Sequence, residues 1–332
     1  MSGQYLTGMR IDIHSHFVPR SAVQKLDDYG VAVVDAGRGQ HTLKIGESSV
    51  GPFTKGMFDV EDRIRELDEL EIDVQVISPT HHLFMYRTDV KVGRVAARAQ
   101  NEGIADAVKK AGGRLVGNAT LPLQDPAAAL EELRYAVDDL NLSGIEIGTN
   151  IVGRNLDDEL LYPVWQRVED LGLPVFVHPN EVMSPDRHRK YYSSIVVGTL
   201  AETTLAISSI IFGGVLDRFP RLKLIFAHGG GAVPFQAGRL EHASKVRQEC
   251  KGLNRNFMEY LKMIHYDSVL FMPEALEYLI RLFSVKNVLL GTDYPFNMGD
   301  FQSHRLVESL DSLTHEERAM ILSENAKRLY CL

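Results

Sequence analysis

Short β-branched runs alternate along this chain with stretches in which apolar residues recur at helical spacing. A period of two reads as strand and a period near 3.6 as amphipathic helix. Strands are predicted at residues 10–16, 73–78, 115–121, 144–148, 174–178, 223–228, 266–270 and 287–291, with 266–270 the weakest pattern. Helices are predicted at 59–70, 89–111, 126–139, 157–171, 199–217, 272–283, 302–310 and 314–329, and Asp59 stands where an N-cap is expected. Strand and helix in alternation predict an α/β fold. Eight such units predict a closed (β/α)8 TIM barrel rather than an open sheet, provided that the 266–270 strand forms.

The stretch 18–57 departs from that rhythm, being too long for a simple loop after the first strand. It carries the alternating runs Val31-Ala32-Val33-Val34 and Thr42-Leu43-Lys44-Ile45 between Gly30, Gly37, Gly39 and Gly46. We read it as a small β insertion over the mouth of the barrel, within one domain spanning 1–332.

Composition narrows the picture only modestly. A chain of 332 residues, 45% hydrophobic and 24% charged, can bury a large globular core. A net charge of -8 weighs against a nucleic-acid or anionic membrane partner. Two cysteines, Cys250 and Cys331, leave no disulfide framework and no cysteine-based zinc site, which fits a cytoplasmic location. Met1 to Tyr5 lack the basic and apolar blocks of a signal peptide. The longest apolar run, 203–216, is interrupted by Ser208, Ser209 and Gly213-Gly214 and is too short to span a bilayer.

The candidate chemistry lies at the strand ends. His14 and His16 are two apart at the end of the first strand, so both imidazoles leave one side of it. Other predicted strands lead into His178, His228 and Asp293. In a barrel the C-terminal ends of the strands converge on one face, where active sites form. Each residue alone has a bland explanation. A histidine at a strand end is more often a solvated side chain than a ligand, and Asp293 before Tyr294-Pro295 could start a turn. His228 could be incidental to the glycine loop 229–231. Together, five ligand-type residues at four strand ends would require several separate accidents. Three imidazoles and a carboxylate with room for water suit one divalent ion. Zn²⁺ is the default, and Mn²⁺ or Co²⁺ are also compatible. Such an ion lowers the pKa of bound water from about 15.7 to near 7. Strand 144–148 offers Glu146 but no lysine to bridge a metal pair, so a single ion is expected.

Further segments carry a resemblance. They are Arg10 to Phe17 with Pro19-Arg20, Asp73-Val74-Gln75-Val76, Pro122-Leu123-Gln124-Asp125, His178-Pro179, Ala201-Glu202-Thr203, His228-Gly229-Gly230-Gly231, Gly238-Arg239, Asp267-Ser268 and Gly291 to Phe296. With these, nearly end to end, the chain resembles the amidohydrolase superfamily. Within it, the likeness is to the metal-dependent decarboxylases of the 2-amino-3-carboxymuconate-6-semialdehyde decarboxylase kind. The resemblance implies His14, His16, His178 and Asp293 as zinc ligands with a water completing the shell. It implies His228 as the catalytic acid/base beside that water rather than a ligand, and it counts the ligand Asp293 as catalytic too. It also implies a homodimer in which Arg239 reaches the neighbouring subunit's site. A second family arginine, in the insertion just before a proline, is missing, because Gly51-Pro52 stands there. His81, His82, Tyr86 or Arg87 are candidates to replace that contact, and Tyr191 or Tyr192 to cover a planar substrate. Taken alone, Arg239 reads as a surface charge, Arg63 and Arg247 as salt-bridge partners, and Trp165 as core.

The expected activity is non-oxidative decarboxylation of a small unsaturated or aromatic carboxylic acid, such as a carboxymuconate semialdehyde or hydroxybenzoate. Loss of CO₂ without a redox cofactor needs an electron sink, which a metal-polarised oxygen supplies. A zinc-dependent amide, lactone or ester hydrolase, or a hydratase, uses the same parts and stays open, as does a non-catalytic metal-binding scaffold.

Overall fold

The computed structural model describes residues 8–332. The segment Met1 to Tyr5, read above for a leader, lies outside the described residues. The first strand, β1, is Ile11–Phe17. Three strands of the insertion follow, β2 (Val31–Gly37), β3 (Gln40–Ile45) and β4 (Ser48–Phe53). The barrel continues with β5 (Val74–Pro79), β6 (Leu115–Ala119) and β7 (Gly144–Gly148). A small ribbon, β8 (Asn150–Ile151) and β9 (Arg154–Asn155), precedes β10 (Pro174–His178), β11 (Lys223–Phe226), β12 (His265–Asp267) and β13 (Val288–Leu289). The eight barrel strands run in the order β1-β5-β6-β7-β10-β11-β12-β13 and pair in parallel. The weakest expected strand, 266–270, forms as β12.

Backbone bonds between β1 and the segment after β13 close the barrel. Ile13 N–H donates to Leu290 O at 2.9 Å, Asp293 N–H to His14 O at 2.8 Å, and His16 N–H to Tyr294 O at 2.8 Å. The closing seam therefore fixes Asp293 against the histidine pair of β1. Every residue of β1, β6, β7 and β10 is buried, as strands covered on both faces require. An apolar cluster including Ile11, Ile13, Phe176 and Leu289 ties the strands to the C-terminal helix Asn325–Tyr330.

The insertion is richer than its sequence suggested. A helix, Arg20–Lys25, precedes an antiparallel sheet of order β2-β3-β4, whose third strand was not anticipated in the run Ser48-Ser49-Val50-Gly51-Pro52-Phe53. Val31, Leu43, Phe53, Met57 and Phe58 pack together beneath it, with Phe296 from the loop after β13 against them. The sheet is thus anchored beside Asp293.

Elsewhere the helices depart from expectation most between β10 and β12. The helix expected at 199–217 ends at Phe212, because Gly213 and Gly214 interrupt it, and resumes as Val215–Arg218. At its other end a π-turn, Ser194–Gly198, extends it. The joined segment Ser194–Phe212 is long and apolar enough to cross a membrane, a property the interrupted run 203–216 concealed. Less than half of it is buried, along one face. Ala206, Ile207, Ile210 and Ile211 enter the main core, and the buried Glu202 accepts a hydrogen bond from Asn150. Two unanticipated helices, Val233–Val246 and Phe257–Leu261, lie between β11 and β12. The first buries only Val233 and Ala237, so it has no apolar stripe to read.

Arg63, expected as a salt-bridge partner, forms no ion pair among the described residues; fully buried, it donates to His16 O and stacks over the rings of Tyr294 and Phe17. Arg247 does pair, with the exposed Glu249 at 2.8 Å. Trp165 is core, its Nε1–H donating to Leu156 O at 3.1 Å.

Candidate metal centre

Asp12, His14 and His16 alternate along β1, and all three are buried. Asp12 is the clamp. It accepts from His14 N–H (3.0 Å), Gln75 Nε2 (2.7 Å), Thr292 N–H (3.0 Å) and Thr292 Oγ1 (2.6 Å), binding β1 to the residue before Asp293. Burial outweighs these bonds and pushes its carboxyl above the usual range.

The imidazoles turn the same way. His14 Nδ1 lies 2.6 Å from Asp267 Oδ2, and His178 Nδ1 lies 3.0 Å from Pro179 O. His16 Nδ1 faces Glu146 Oε1 at 3.9 Å. Nδ1 of His14 and of His178 is thus held by a carboxylate and a carbonyl, whereas Nδ1 of His16 is buried without a partner and its Nε2 turns to Asp293. Asp293 Oδ1 stands 3.2 Å from His14 Nε2 and 3.1 Å from His16 Nε2, while Asp293 Oδ2 stands 3.6 Å from His228 Nε2. Donor atoms of His14, His178, His228 and Asp293 lie within 4.8 Å of one another, and those of His16, His81 and His178 do likewise. Nε2 of His14 and of His178 is buried without a hydrogen-bond partner. Polar atoms are seldom buried unpaired. Orphaned nitrogens converging on a carboxylate fit a divalent ion, and outward-facing Nδ1 atoms held by carboxylate or carbonyl are the usual support for metal-binding histidines.

Electrostatics follow from this crowding. Burial opposes a charge on His14, but the Asp293 and Asp267 carboxylates prevail and push it up to about 10. Burial lowers His16 to about 4 and holds His178 and His81 well below the usual range. Asp293 is held well below the usual carboxylate range, because His14, His16 and His228 overcome the cost of its burial. Glu146 is fully buried, which pushes its carboxyl well above the usual range. It stays on the outer side of His16, apart from the converging donors.

His228 and Asp293 occupy the turns that follow β11 and β13, both with φ of 57°. Left-handed backbone costs a side-chain-bearing residue about 1–2 kcal/mol. Asp267, at the end of β12, holds one of these turns in place. Its Oδ2 accepts His228 N–H at 2.9 Å, and its Oδ1 accepts Gly229 N–H at 2.8 Å. Asp267 and Asp12 were not singled out from sequence as functional. Both carried a signal, since Asp12 shares the two-residue period of His14 and His16, and Asp267 ends a strand.

A cavity opens above the centre. Its walls include His178, His228, Asp293, His81, His82 and Tyr192, with Val50, Gly51, Pro52 and Phe53 of β4 as one rim and Phe296, Asn297 and Met298 as another. His81 stacks on His178 with ring centroids 4.6 Å apart. Of the other candidates for the missing contact, Tyr86 is buried against Phe84, and Arg87 is held by Glu181 through two 2.6 Å bonds. Tyr191 is 89% exposed, and only Tyr192 of that pair lines the cavity. Arg239 is exposed on the helix Val233–Val246 and does not line it. Gly51 has φ of 126°, and a Cβ there would meet His41 O and the Phe53 ring at 3.1 Å. No lysine or arginine lines this cavity among the described residues.

Comparison with known proteins agrees with this geometry. Residues 11–332 match the family described as amidohydrolase. The chain is 36% identical over 324 residues to the 2-amino-3-carboxymuconate-6-semialdehyde decarboxylase of Dictyostelium discoideum, covering 96% of this chain and 90% of that one. It is 28% identical to the gamma-resorcylate decarboxylase of a Rhizobium species, covering 83% and 88% of the two chains. Among solved structures, the 5-carboxyvanillate decarboxylase of Novosphingobium aromaticivorans, solved with manganese and 3-methoxy-4-hydroxy-5-nitrobenzoic acid, superposes with a TM-score of 0.84 at 21% identity. That alignment covers 100% of this chain and 99% of the other. The chain therefore belongs to the amidohydrolase family, among the members that resemble 2-amino-3-carboxymuconate-6-semialdehyde decarboxylase.

Proposed function

We propose that this protein is a metal-dependent, non-oxidative carboxy-lyase of a small unsaturated or aromatic acid, of the hydroxybenzoate or muconate semialdehyde class. The observation that carries the reading is the convergence of His14, His178, His228 and Asp293 donor atoms within 4.8 Å at the floor of an aromatic-walled cavity. His14, His16, His178 and Asp293 would hold the ion. Zn²⁺ is our assignment for this borderline set of nitrogen and oxygen donors, and Mn²⁺ or Co²⁺ would be accepted by the same atoms. A bound divalent ion would polarise an oxygen of the substrate and so provide a sink for electrons.

The protein's own groups do the rest. Phe296, His81 and Tyr192 line the cavity and supply apolar ring surface for a planar acid. His228 stands at the junction of cavity and cluster, its side chain 16% exposed and its Nε2 3.6 Å from Asp293. The carboxyl-bearing carbon would take a proton from His228; the carbon–carbon bond then breaks, its electron pair returns to the conjugated system, carbon dioxide departs, and solvent restores the proton on His228. With no lysine or arginine in the lining among the described residues, a second carboxylate on the substrate would need a cation from outside this chain. A dimer would be needed to add Arg239 of a second copy, and its exposure beside Phe235, itself 83% exposed, supports that arrangement.

The activities of the relatives favour decarboxylation over hydrolysis on the same donors. The experiment is to load the protein with Zn²⁺ or Mn²⁺ and assay carbon dioxide from 2-hydroxybenzoate, dihydroxybenzoates and a carboxymuconate semialdehyde, with a chelated control. Metal-dependent release supports the proposal. Turnover only of amides, lactones or esters, with every carbon retained, would replace it with the hydrolase.

A further inference from the structure

The loop after β5 delivers a further imidazole to the centre. In the register of β1 and β5, Ser78 pairs with His16 and Pro79 with Phe17, so the turn His81–Leu83 begins beside the histidine pair. The His81 ring is packed against His178 at 4.6 Å between centroids, His82 at 4.0 Å, and His16 and Phe296 at 5.6 Å each. Its nitrogen donor lies within 4.8 Å of those of His16 and His178. His228 belongs to the other group of converging donors, with His14 and Asp293, and only His178 is common to both groups. His81 and His228 thus approach the cluster from its His16 and Asp293 sides, and both line the cavity.

One nitrogen of His81 is uncommitted. Nδ1 is buried without a partner, and Nε2 makes no hydrogen bond among the described residues, so Nε2 is the nitrogen left to the cavity. A buried N–H goes unpaired less often than a buried lone pair, which puts the ring proton on Nε2. The ring is poorly aimed for a ligand. A ring nitrogen offers its lone pair in the ring plane, and the plane of His81 runs alongside that of His178, 24° from parallel. Rings stacked in this way cannot both direct lone pairs at one ion. An N–H on that edge can instead reach an atom seated over the cluster. The other neutral donors of the lining are committed or peripheral. Thr199 Oγ1 donates to Ile195 O, His82 Nδ1 lies 3.2 Å from Thr80 Oγ1, and Tyr192 and Asn297 are exposed at the rim.

We infer that His81 is a substrate-binding residue whose Nε2–H donates a hydrogen bond to an anionic oxygen of the substrate, from its carboxylate or a ring hydroxyl, seated over the ligand cluster. That the substrate is an acid rests on the carboxy-lyase reading; the contact itself requires no turnover.

The test compares the metal-loaded parent with His81→Phe, which keeps a ring for the stack and removes both nitrogens, and with His81→Gln, whose amide nitrogen reaches about as far as Nε2. Calorimetry with benzoate, phenol and 2-hydroxybenzoate gives Kd, elemental analysis gives metal content, and carbon dioxide release from 2-hydroxybenzoate gives kcat/KM. His81→Phe should keep its metal, bind 2-hydroxybenzoate about 10–100-fold more weakly and lose kcat/KM by a similar factor, as loss of one hydrogen bond to a charged group does. His81→Gln should recover part of both losses. If His81→Phe does not fold, His81→Leu takes its place, since Leu and Gln both lack the ring and differ in the donor. Weakening confined to benzoate and 2-hydroxybenzoate assigns the contact to the carboxylate, and weakening confined to phenol and 2-hydroxybenzoate assigns it to the hydroxyl oxygen; either upholds the inference. Unchanged Kd values overturn it, as do equal losses in His81→Gln and the apolar variant, or a parent that binds none of the three. Loss of metal from the apolar variant also overturns it, by making His81 a ligand. The expected pattern of Kd with no carbon dioxide from the parent upholds the contact and removes the carboxy-lyase reading instead.

Discussion

Asp267 Oδ2 lies 2.6 Å from Nδ1 of His14, and the same oxygen accepts the backbone N–H of His228 at 2.9 Å. One buried carboxylate therefore orients a candidate ligand and the turn bearing the candidate acid/base. Asp267→Asn keeps the shape but weakens both charge-assisted contacts. We expect metal affinity to fall about 10–100-fold, with kcat falling as well. Metal titration followed by turnover of the fully loaded variant checks this. Wild-type values for both would deny Asp267 a positioning role.

The roles of His228 and Asp293 separate by metal content. His228→Ala should keep the ion and lose about 10²–10⁴-fold in turnover. Asp293→Ala should lose the ion. Elemental analysis of the two purified variants is the measurement, and loss of metal from His228→Ala would make His228 a ligand.

Much of this was legible in the sequence, for physical reasons that differ by element. β1, β10 and the strand before Asp293 are short apolar runs ending in ligand-type residues, and barrel geometry brings such ends together whatever their separation in the chain. β4 stayed hidden because its side chains are mostly exposed and it contains Gly51-Pro52, a turn signal in isolation. The helix Val233–Val246 stayed hidden because Phe235 and Arg239, where a buried face would show, point outward. The roles of Arg63 and Asp267 depend on contacts across 47 and 253 positions, which no local pattern encodes.

Acid should destabilise the metal-free protein early. His16, His82 and His265 are each lowered by burial to about 4, from an ordinary value of 6.5. The folded state therefore binds fewer protons than the unfolded state between those values. Their contribution is present above pH 6.5 and is lost as pH falls toward 4, at about 1.4 kcal/mol per pH unit for each histidine. His14, raised to about 10, acts in the opposite sense, and its contribution fades as pH climbs from 6.5 to 10. Thermal midpoints of the metal-free protein should peak near pH 6.5–7 and fall by pH 5. A flat profile from pH 5 to 7 would contradict the burial of neutral histidines.

Gly103 couples the long helix Val90–Lys110 to the end of β1. A Cβ at Gly103 would lie 2.3 Å from Cβ and 2.6 Å from Cγ of Pro19, a rigid ring two residues beyond β1. Gly103→Ala should destabilise by about 1–3 kcal/mol, as overpacking does. Urea unfolding measures it, and an unchanged midpoint would show that this contact yields freely.

The central claim is that the carboxyl-bearing carbon takes a proton at the metal-supported His228 and its carbon–carbon bond to the carboxyl group then breaks. Its most direct test follows carboxyl-¹³C-labelled 2-hydroxybenzoate, or whichever assayed acid turns over best, with metal-loaded protein in D₂O. The account predicts labelled carbon dioxide and a product with one deuterium at the vacated position, both abolished by a chelator and by His228→Ala. Product that keeps the labelled carbon, or release that survives metal removal, would contradict it.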